Sequence, residues 1–203
     1  TKAIQPSYGP PGIQGLASAV LPLALAAVGQ AIVVISGGID LSIGSIMALT
    51  SVISASLMKT YPELAIAIVI GVLLLGILIG AVNGGLVVVT RVPDIVVTLA
   101  MSFVWAGCAL LVLKTPGGAA AVWLKDLVKG PLLVEWLPKA AVVMIILVAV
   151  IWIPLRRTRL GLSIYAIGSN QLAAFRSGVA VGRTKIAAYA VMGLFAALGG
   201  LSL

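Results

Sequence analysis

The sequence lacks histidine altogether and contains one cysteine and five acidic residues among its 203 positions. Without histidine, imidazole catalysis, histidine-bound metals and histidine proton relays are excluded. Cys108 stands alone in an apolar run, which excludes a disulfide framework and a cysteine-ligated metal. Because no acidic side chains cluster within the apolar runs, the chain has no constellation for hydrolysis or group transfer and is not predicted to be an enzyme.

Charge is scarce and apolar residues dominate: 9% of the residues are charged and 62% are hydrophobic. A soluble domain of this size could not bury so much apolar surface, so the lipid bilayer must be the solvent. Each span needs ~20 apolar residues, and helices satisfy their own backbone in lipid. The sequence therefore predicts an all-α, polytopic transmembrane helical bundle of about six spans. The apolar runs are Leu16–Ser36, Ile43–Met58 (a span or a re-entrant segment), Leu64–Val89, Ile95–Leu113, Ala140–Leu155 and Ile186–Leu203.

The net charge of +8 does not indicate a nucleic-acid partner, because the basic residues separate apolar runs instead of alternating with aromatics on a polar face. The segment 156–185 carries six Lys or Arg residues and no acidic residue. The positive-inside rule predicts that this segment is a cytoplasmic loop. Alternation of the spans then places residues 114–139 outside and the turn at Arg91 inside.

Glycines recur every four residues in the third run, at Gly76, Gly80 and Gly84, and therefore share one helical face. Ala196 and Gly200 repeat this spacing in the last run. Small residues at this spacing let a second helix approach closely. They predict helix packing, rather than chemistry, within a single domain that covers residues 1–203.

A polar stretch from Ser36 to Ser45 separates the first two runs. Irregular backbone at membrane depth is tolerated where it lines a cavity or is buried in protein. Asp40 has two compatible interpretations, as an N-cap of the following helix or as a carboxylate in a translocation pathway. Gly38 and Ser42 flank it and belong to the same candidate pathway element.

Three further residues within apolar runs are candidates for the pathway. Gln30 and Asn83 could present amides to a hydroxylated solute, although interhelical hydrogen bonding explains them equally well. Trp105 could stack on a sugar ring, although packing is the simpler explanation. Asp94 follows Pro93 at the start of a run and is interpreted as a helix cap without a transport role.

Within the basic segment, the residues after Gly168 predict a short helix that is capped by Asn170 and ends at Gly178. Its exposed side is expected to carry Ala173 and Ala174, which are small enough to enter a groove on a partner. From the residues alone, a solvated basic loop remains the alternative interpretation.

Three stretches follow one another along the chain: Gly38–Gly44, the region from Asn83 to Leu99, and Gly168-x-Asn170-x-x-Ala173-Ala174-x-x-Ser177-Gly178-Val179. In this order they resemble the permease subunits of ribose, xylose and related monosaccharide ABC importers. The resemblance covers nearly the whole chain. Asp94 departs from the family pattern, which often has an apolar or aromatic residue after this proline.

The resemblance implies a multi-pass permease subunit in a bacterial inner membrane, here as a fragment, truncated at both ends, of a protein with roughly ten spans. The implied partners are an ABC ATPase subunit, a periplasmic solute-binding protein and a second permease copy. ATP and Mg²⁺ would be bound by the ATPase and no cofactor by this chain. In agreement, residues 178–185 lack the Gly-x4-Gly-Lys-Ser/Thr order of an ATP-binding loop.

In this family the cytoplasmic loop docks on the ATPase and transmits its opening and closing. The resemblance therefore assigns residues 156–185 as the coupling loop, with coupling residues Gly168, Asn170, Ala173, Ala174, Arg176 and Gly178. Two alternatives stay open at this point. Related permeases for branched-chain amino acids or nucleosides share the general plan, and a proton-coupled secondary transporter would use Asp40 as its carboxylate.

Overall fold

The computed structural model describes residues 9–112 and 117–203, and within them the chain forms α-helices with one 3-10 turn at Pro62–Leu64. Six helices in this part of the chain are long and apolar enough to cross a membrane, which confirms the predicted all-α polytopic bundle. The helices are α1 (Pro10–Ile35), α2 (Ile43–Thr60), α3 (Ala65–Thr90), α4 (Asp94–Val112), α5 (Val122–Val128), α6 (Lys139–Arg157), α7 (Arg159–Ser169), α8 (Gln171–Arg176) and α9 (Val181–Ser202).

The predicted runs and the observed helices differ mainly at their starts. α1 begins at Pro10 because proline is preorganised for the first turn of a helix, where its missing N–H is not needed. α9 begins at Val181 and so includes charged residues that the apolar pattern left in the loop. Leu113, the predicted end of the fourth run, lies outside the described residues.

Helix α9 lies at the centre of the bundle and packs against α1, α2 and α3. More than half of its most apolar window is buried (56%), compared with 6% for α6 and 11% for α4, which present most of their surface outward. The glycine face of α3 packs closely against another helix, as predicted, and the structure shows that this helix is α9. A Cβ on Gly84 would lie 2.9 Å from Ile186 Cα and from Tyr189 Cβ, and those on Gly76 and Gly80 would meet the α9 backbone.

Three elements meet at one end of the bundle: residues 36–42 between α1 and α2, the turn 91–93 between α3 and α4, and the basic segment 156–185. We call this the basic end. Gly168 of α7 touches the carbonyl of Ile35 there, and Lys185 of α9 lies 3.7 Å from Asp94 of α4. The opposite end holds the 3-10 turn and residues 117–138, where the Ala119 N–H donates to Ala55 O at 3.0 Å.

Candidate functional site

The candidate site is the segment that joins α1 to α2 at the basic end, residues 36–42, which we call the polar loop. It leaves the helix at Gly37, whose φ of 79° is the left-handed conformation that glycine adopts without strain. The loop then turns into the bundle. Asp40 is 2% exposed and Ser42 is fully buried. Gly37, Ile39 and Leu41 are exposed between the buried residues. The buried polar groups of the loop need partners, and the surrounding helices supply them.

Asp40 closes a turn within the polar loop and is not the N-cap that the sequence suggested. Its Oδ1 accepts from the backbone N–H and from the hydroxyl of Ser42, both at 2.6 Å, while Ser42 occupies the N-cap position of α2. The other carboxylate oxygen, Oδ2, is buried without a hydrogen-bond partner among the described residues. Burial raises the pKa of the Asp40 carboxyl, against the smaller lowering effect of the bonds from Ser42.

A chain of side-chain hydrogen bonds leads from Asp40 to two neighbouring helices. The Asn83 amide on α3 donates to Ser42 Oγ at 2.7 Å, and the Trp105 indole on α4 donates to Asn83 Oδ1 at 3.1 Å. Asn83 is fully buried. The structure thus brings together four predicted pathway residues from three separate stretches, and they bind one another.

Gln30 holds the polar loop from the side of α1. In the amide orientation that satisfies both groups, Gln30 donates to the backbone carbonyl of Asp40 at 3.0 Å and accepts from its N–H at 3.2 Å. This pair replaces the backbone partners that Asp40 loses where the helix is interrupted. Of the two interpretations of Gln30, hydrogen bonding within the bundle is the one that its contacts show.

Two polar-loop partners escaped the sequence interpretation. Thr98 on α4 accepts from the N–H of Leu41 at 3.0 Å and donates to Asp94 O at 2.8 Å. Tyr189 on α9 is fully buried and donates to Asp94 Oδ2 at 2.8 Å, and its hydroxyl lies 3.4 Å from Ile39 O. A tyrosine hydroxyl within an apolar span needs a buried partner, which is the one signal that could have identified Tyr189.

Asp94 therefore has a different local role from the helix cap that was expected. It is the first residue of α4, but its carboxylate binds Tyr189 and faces Lys185, both on α9. Gly38 makes room for this pair, since a Cβ there would lie 2.6 Å from Asp94 Oδ2 and 2.9 Å from the Tyr189 hydroxyl. The predicted pathway residue Gly38 thus serves close packing of the polar loop against α4 and α9.

The predicted coupling residues lie on α7 and α8, directly beside the polar loop. Asn170 Oδ1 accepts from the Ala173 N–H at 2.9 Å, and Gly178 adopts a φ of 85° just after α8, which confirms the predicted cap and stop. Gly168 packs against the Ile35 carbonyl, where a Cβ could not fit. The helix α7 itself was not predicted.

The exposed face of α8 differs from the expected one. Ala173 is exposed, but Ala174 is buried (5% exposed), so the two alanines do not share a surface as predicted. Each residue of an α-helix is turned by about 100° from the one before it, so the adjacent alanines on α8 point in different directions. The exposed apolar side chains beside Ala173 are Leu172 (59%) and Phe175 (67%), while Arg176 and Gly178 are also exposed.

The polar side chains at the candidate site bind one another in this conformation. Among the described residues, no three His, Cys, Asp or Glu side chains gather into a metal-ligating group. Asp40, Ser42 and Asn83 are buried and bound to one another, so a helix movement would have to expose them before a solute could contact them. Their role in a translocation pathway stays a prediction.

The charge of Asp40 is expected to matter less to stability than its two bonds with Ser42. Asp40→Asn keeps an acceptor at Oδ1 and removes the desolvation cost of a carboxylate, so the loss should stay below ~1 kcal/mol, whereas Asp40→Ala should cost ~2 kcal/mol. Unfolding of the purified protein in mixed detergent micelles measures both values. Equal losses for the two variants would show that the charge itself holds the turn.

Sequence comparisons with known proteins place this chain among permeases. The family model described as the permease component of the branched-chain amino acid transport system matches residues 12–203. The chain is 35% identical over 184 residues to the ribose import permease protein RbsC of Escherichia coli strain K12, covering 88% of this chain and 56% of that protein. The corresponding protein of Haemophilus influenzae is 36% identical over the same coverage.

A third relative, the autoinducer 2 import system permease protein LsrD of Escherichia coli strain K12, is 33% identical over 179 residues, covering 84% of this chain and 53% of that protein. The chain thus spans about half the length of the curated relatives it matches. No solved structure matches it. The match across almost every described helix shows that this multi-pass membrane protein belongs to the permease-component family of the branched-chain amino acid transport system.

Proposed function

We propose that the chain belongs to the membrane-spanning subunit of an ATP-binding-cassette importer that moves a monosaccharide across a bacterial inner membrane. The subunit supplies no catalytic group. A separate ATPase subunit binds ATP and Mg²⁺ and hydrolyses the nucleotide. A second permease copy completes the pathway, and a periplasmic solute-binding protein delivers the solute. The basic end is the cytoplasmic side in this proposal, since it carries the Lys and Arg excess.

The observation that carries this proposal is the contact between α7 and the polar loop. Gly168, near the end of α7, touches the Ile35 carbonyl at the end of α1 and lies beside Gly37 of the polar loop, and α8 follows immediately with exposed Leu172 and Phe175. Exposed apolar side chains on a water-facing helix are suited to a protein partner. A partner that displaces α8 would therefore act on the polar loop through α7 and Gly168.

The solute class rests on the relatives rather than on a bound molecule. Ribose is the solute named for two of them, and the family description names branched-chain amino acids. We favour a monosaccharide because two individual relatives at 35% and 36% identity are named for ribose, whereas branched-chain amino acids are named only in the description of the whole family. Uptake of D-ribose compared with L-leucine by the intact transporter separates the two classes.

A proton-coupled secondary transporter is the second candidate, favoured by one observation. Asp40 is a buried carboxyl with one oxygen lacking a partner among the described residues, and burial raises its pKa, which suits a group that binds a proton. In that case uptake would require a proton gradient, and Asp40→Asn would abolish the requirement. Solute uptake that requires ATP but proceeds without a proton gradient would exclude this candidate.

The test of the proposed function is co-purification of the intact permease with candidate ABC ATPase subunits. Wild type is expected to retain an ATPase, and Ala173→Trp to lower the retained amount about tenfold or more, which corresponds to ~1.4 kcal/mol of binding free energy. The reason is that Ala173 is exposed on α8 beside Leu172 and Phe175, where an indole would hold a partner away.

Ala119→Trp is the matched control, because Ala119 is an exposed alanine at the opposite end of the bundle. It should leave ATPase binding unchanged. Both variants should elute from gel filtration as wild type does, which separates lost docking from unfolding. Absence of any ATPase from the wild-type preparation would refute the importer proposal, and full binding by Ala173→Trp would refute the docking surface.

A further inference from the structure

Asp94 stands at a junction of three elements that the proposed function leaves unused. Its Oδ2 accepts from the Tyr189 hydroxyl at 2.8 Å and lies 3.7 Å from Lys185 Nζ. Lys185 and Tyr189 are four residues apart on α9 and so share one face of its first turns. Asp94 begins α4. One carboxylate therefore joins the start of α4 to the start of α9.

The same carboxylate borders the polar loop. The Tyr189 hydroxyl that it binds lies 3.4 Å from the Ile39 carbonyl, and Gly38 leaves no space for a Cβ between the loop and the pair. One helical turn after Asp94, Thr98 accepts from the Leu41 N–H at 3.0 Å. The polar loop is thus bonded to α4 through Thr98, and at Gly38 and Ile39 it packs against the Asp94–Tyr189 pair that joins α4 to α9.

The junction also lies next to α8. Asp94 and Lys185 line a cavity of about 470 Å³ whose walls include Gln171, the first residue of α8, and Arg91. The side chains of Asp94 and Lys185 are 17% and 15% exposed, respectively. Only residues 177–180 separate α8 from α9. Displacement of α8 would therefore be passed along the chain to α9, which carries Lys185 and Tyr189.

We propose that Asp94 is a positioning residue for transport coupling, which ties the polar loop to the first turns of α9 so that displacement of α8 moves the loop. This inference rests on the proposed function, because it assumes that a partner displaces α8. Two paths then reach the polar loop from the basic segment, through Gly168 on α7 and through Asp94.

The first test asks whether Asp94 holds the loop, and it uses the intact permease without any partner. Hydrogen exchange of peptides that cover residues 36–42 should be about fivefold faster in Asp94→Ala than in wild type, because the loop loses the side chain against which Gly38 packs and the hydrogen bond that fixes Tyr189 beside Ile39. Tyr189→Phe removes the hydroxyl that donates to Asp94 and should act similarly. Unchanged exchange in both variants would overturn the proposal.

The second test asks whether the tie transmits movement, and it uses the complex with the ATPase subunit that co-purifies. Adding ATP and vanadate should change exchange in both α8 and the polar loop of wild type. In Asp94→Ala, the change in α8 should persist while the change in the polar loop falls at least about threefold. The reason is that Gly168 then provides the one remaining path from the basic segment to the polar loop in this proposal. Equal polar-loop responses in the two proteins would overturn the proposal.

Glu63→Ala removes an exposed carboxylate at the opposite end of the bundle and should leave both measurements at wild-type values. The response of α8 distinguishes the two levels of inference. An α8 that does not respond in wild type would refute the proposed function, and the coupling role of Asp94 would fall with it. An α8 that responds while Asp94→Ala behaves as wild type would refute the role of Asp94 alone.

Discussion

Replacing Gly80 by leucine is expected to separate α3 from α9 and to cost at least ~3 kcal/mol of unfolding free energy, at the upper end of overpacking penalties. A Cβ on Gly80 would collide with the backbone carbonyl of Tyr189, and Gly193 on α9 meets the Gly76 carbonyl in the same way. Backbone on both sides leaves no flexible side chain to move aside. Unfolding in mixed micelles and the folded fraction on gel filtration measure the effect.

Gly71→Leu provides the matched control on the same helix. Gly71 is exposed, and a Cβ there would meet nothing within 4 Å, so the change should stay within ~0.5 kcal/mol. The comparison removes the general effect of adding leucine to an apolar span. Similar losses for the two variants would contradict the close packing of α3 on α9.

Asn83→Leu is expected to lower the free energy of unfolding by ~3 kcal/mol, because it breaks the series of side-chain hydrogen bonds that joins the polar loop to α3 and α4. Asn83 donates to Ser42 and accepts from Trp105, so leucine leaves the indole N–H without its partner and releases the loop from α3. The same micelle unfolding assay measures the loss. Hydrogen exchange of residues 36–42 should rise with it.

A double-mutant cycle identifies the bond responsible. Trp105→Phe alone should cost ~1 kcal/mol through the indole bond, and it should add almost nothing in the Asn83→Leu background. Additive losses would show that Trp105 and Asn83 stabilise the bundle independently, contrary to the 3.1 Å contact between them.

Much of the fold could be predicted because a membrane span is recognised from the composition of contiguous residues. Uninterrupted apolar runs specified the six long helices, and Gly76, Gly80 and Gly84 specified the packing face of α3 by spacing alone. The cap of α8 was equally local, since Asn170 and Gly178 act within a few residues of themselves. In contrast, α7 was missed because it lies in a basic segment that the charge pattern marks as a loop.

The candidate site could be predicted only as a set of unusual residues. Asp40, Asn83 and Trp105 were noticed because they are polar or aromatic within apolar surroundings, but nothing in their spacing joins them. Asp94 was assigned a cap because sequence shows only its neighbours, whereas its partner Tyr189 lies 95 residues further along the chain. The inward side of Ala174 also depends on contacts that a six-residue helix pattern does not specify.

The sequence by itself determined the solvent, the six long helices and the family of this protein, because hydrophobicity, helix breaks and motif order are properties of neighbouring residues. Only the tertiary structure decided which polar groups pair. A buried donor or acceptor must find a partner wherever the folded chain brings one within reach, and the packing of α9 against α1, α2 and α3 determines that proximity. The joining of the polar loop to the basic segment, through Gly168 and Asp94, is therefore a property of the assembled bundle.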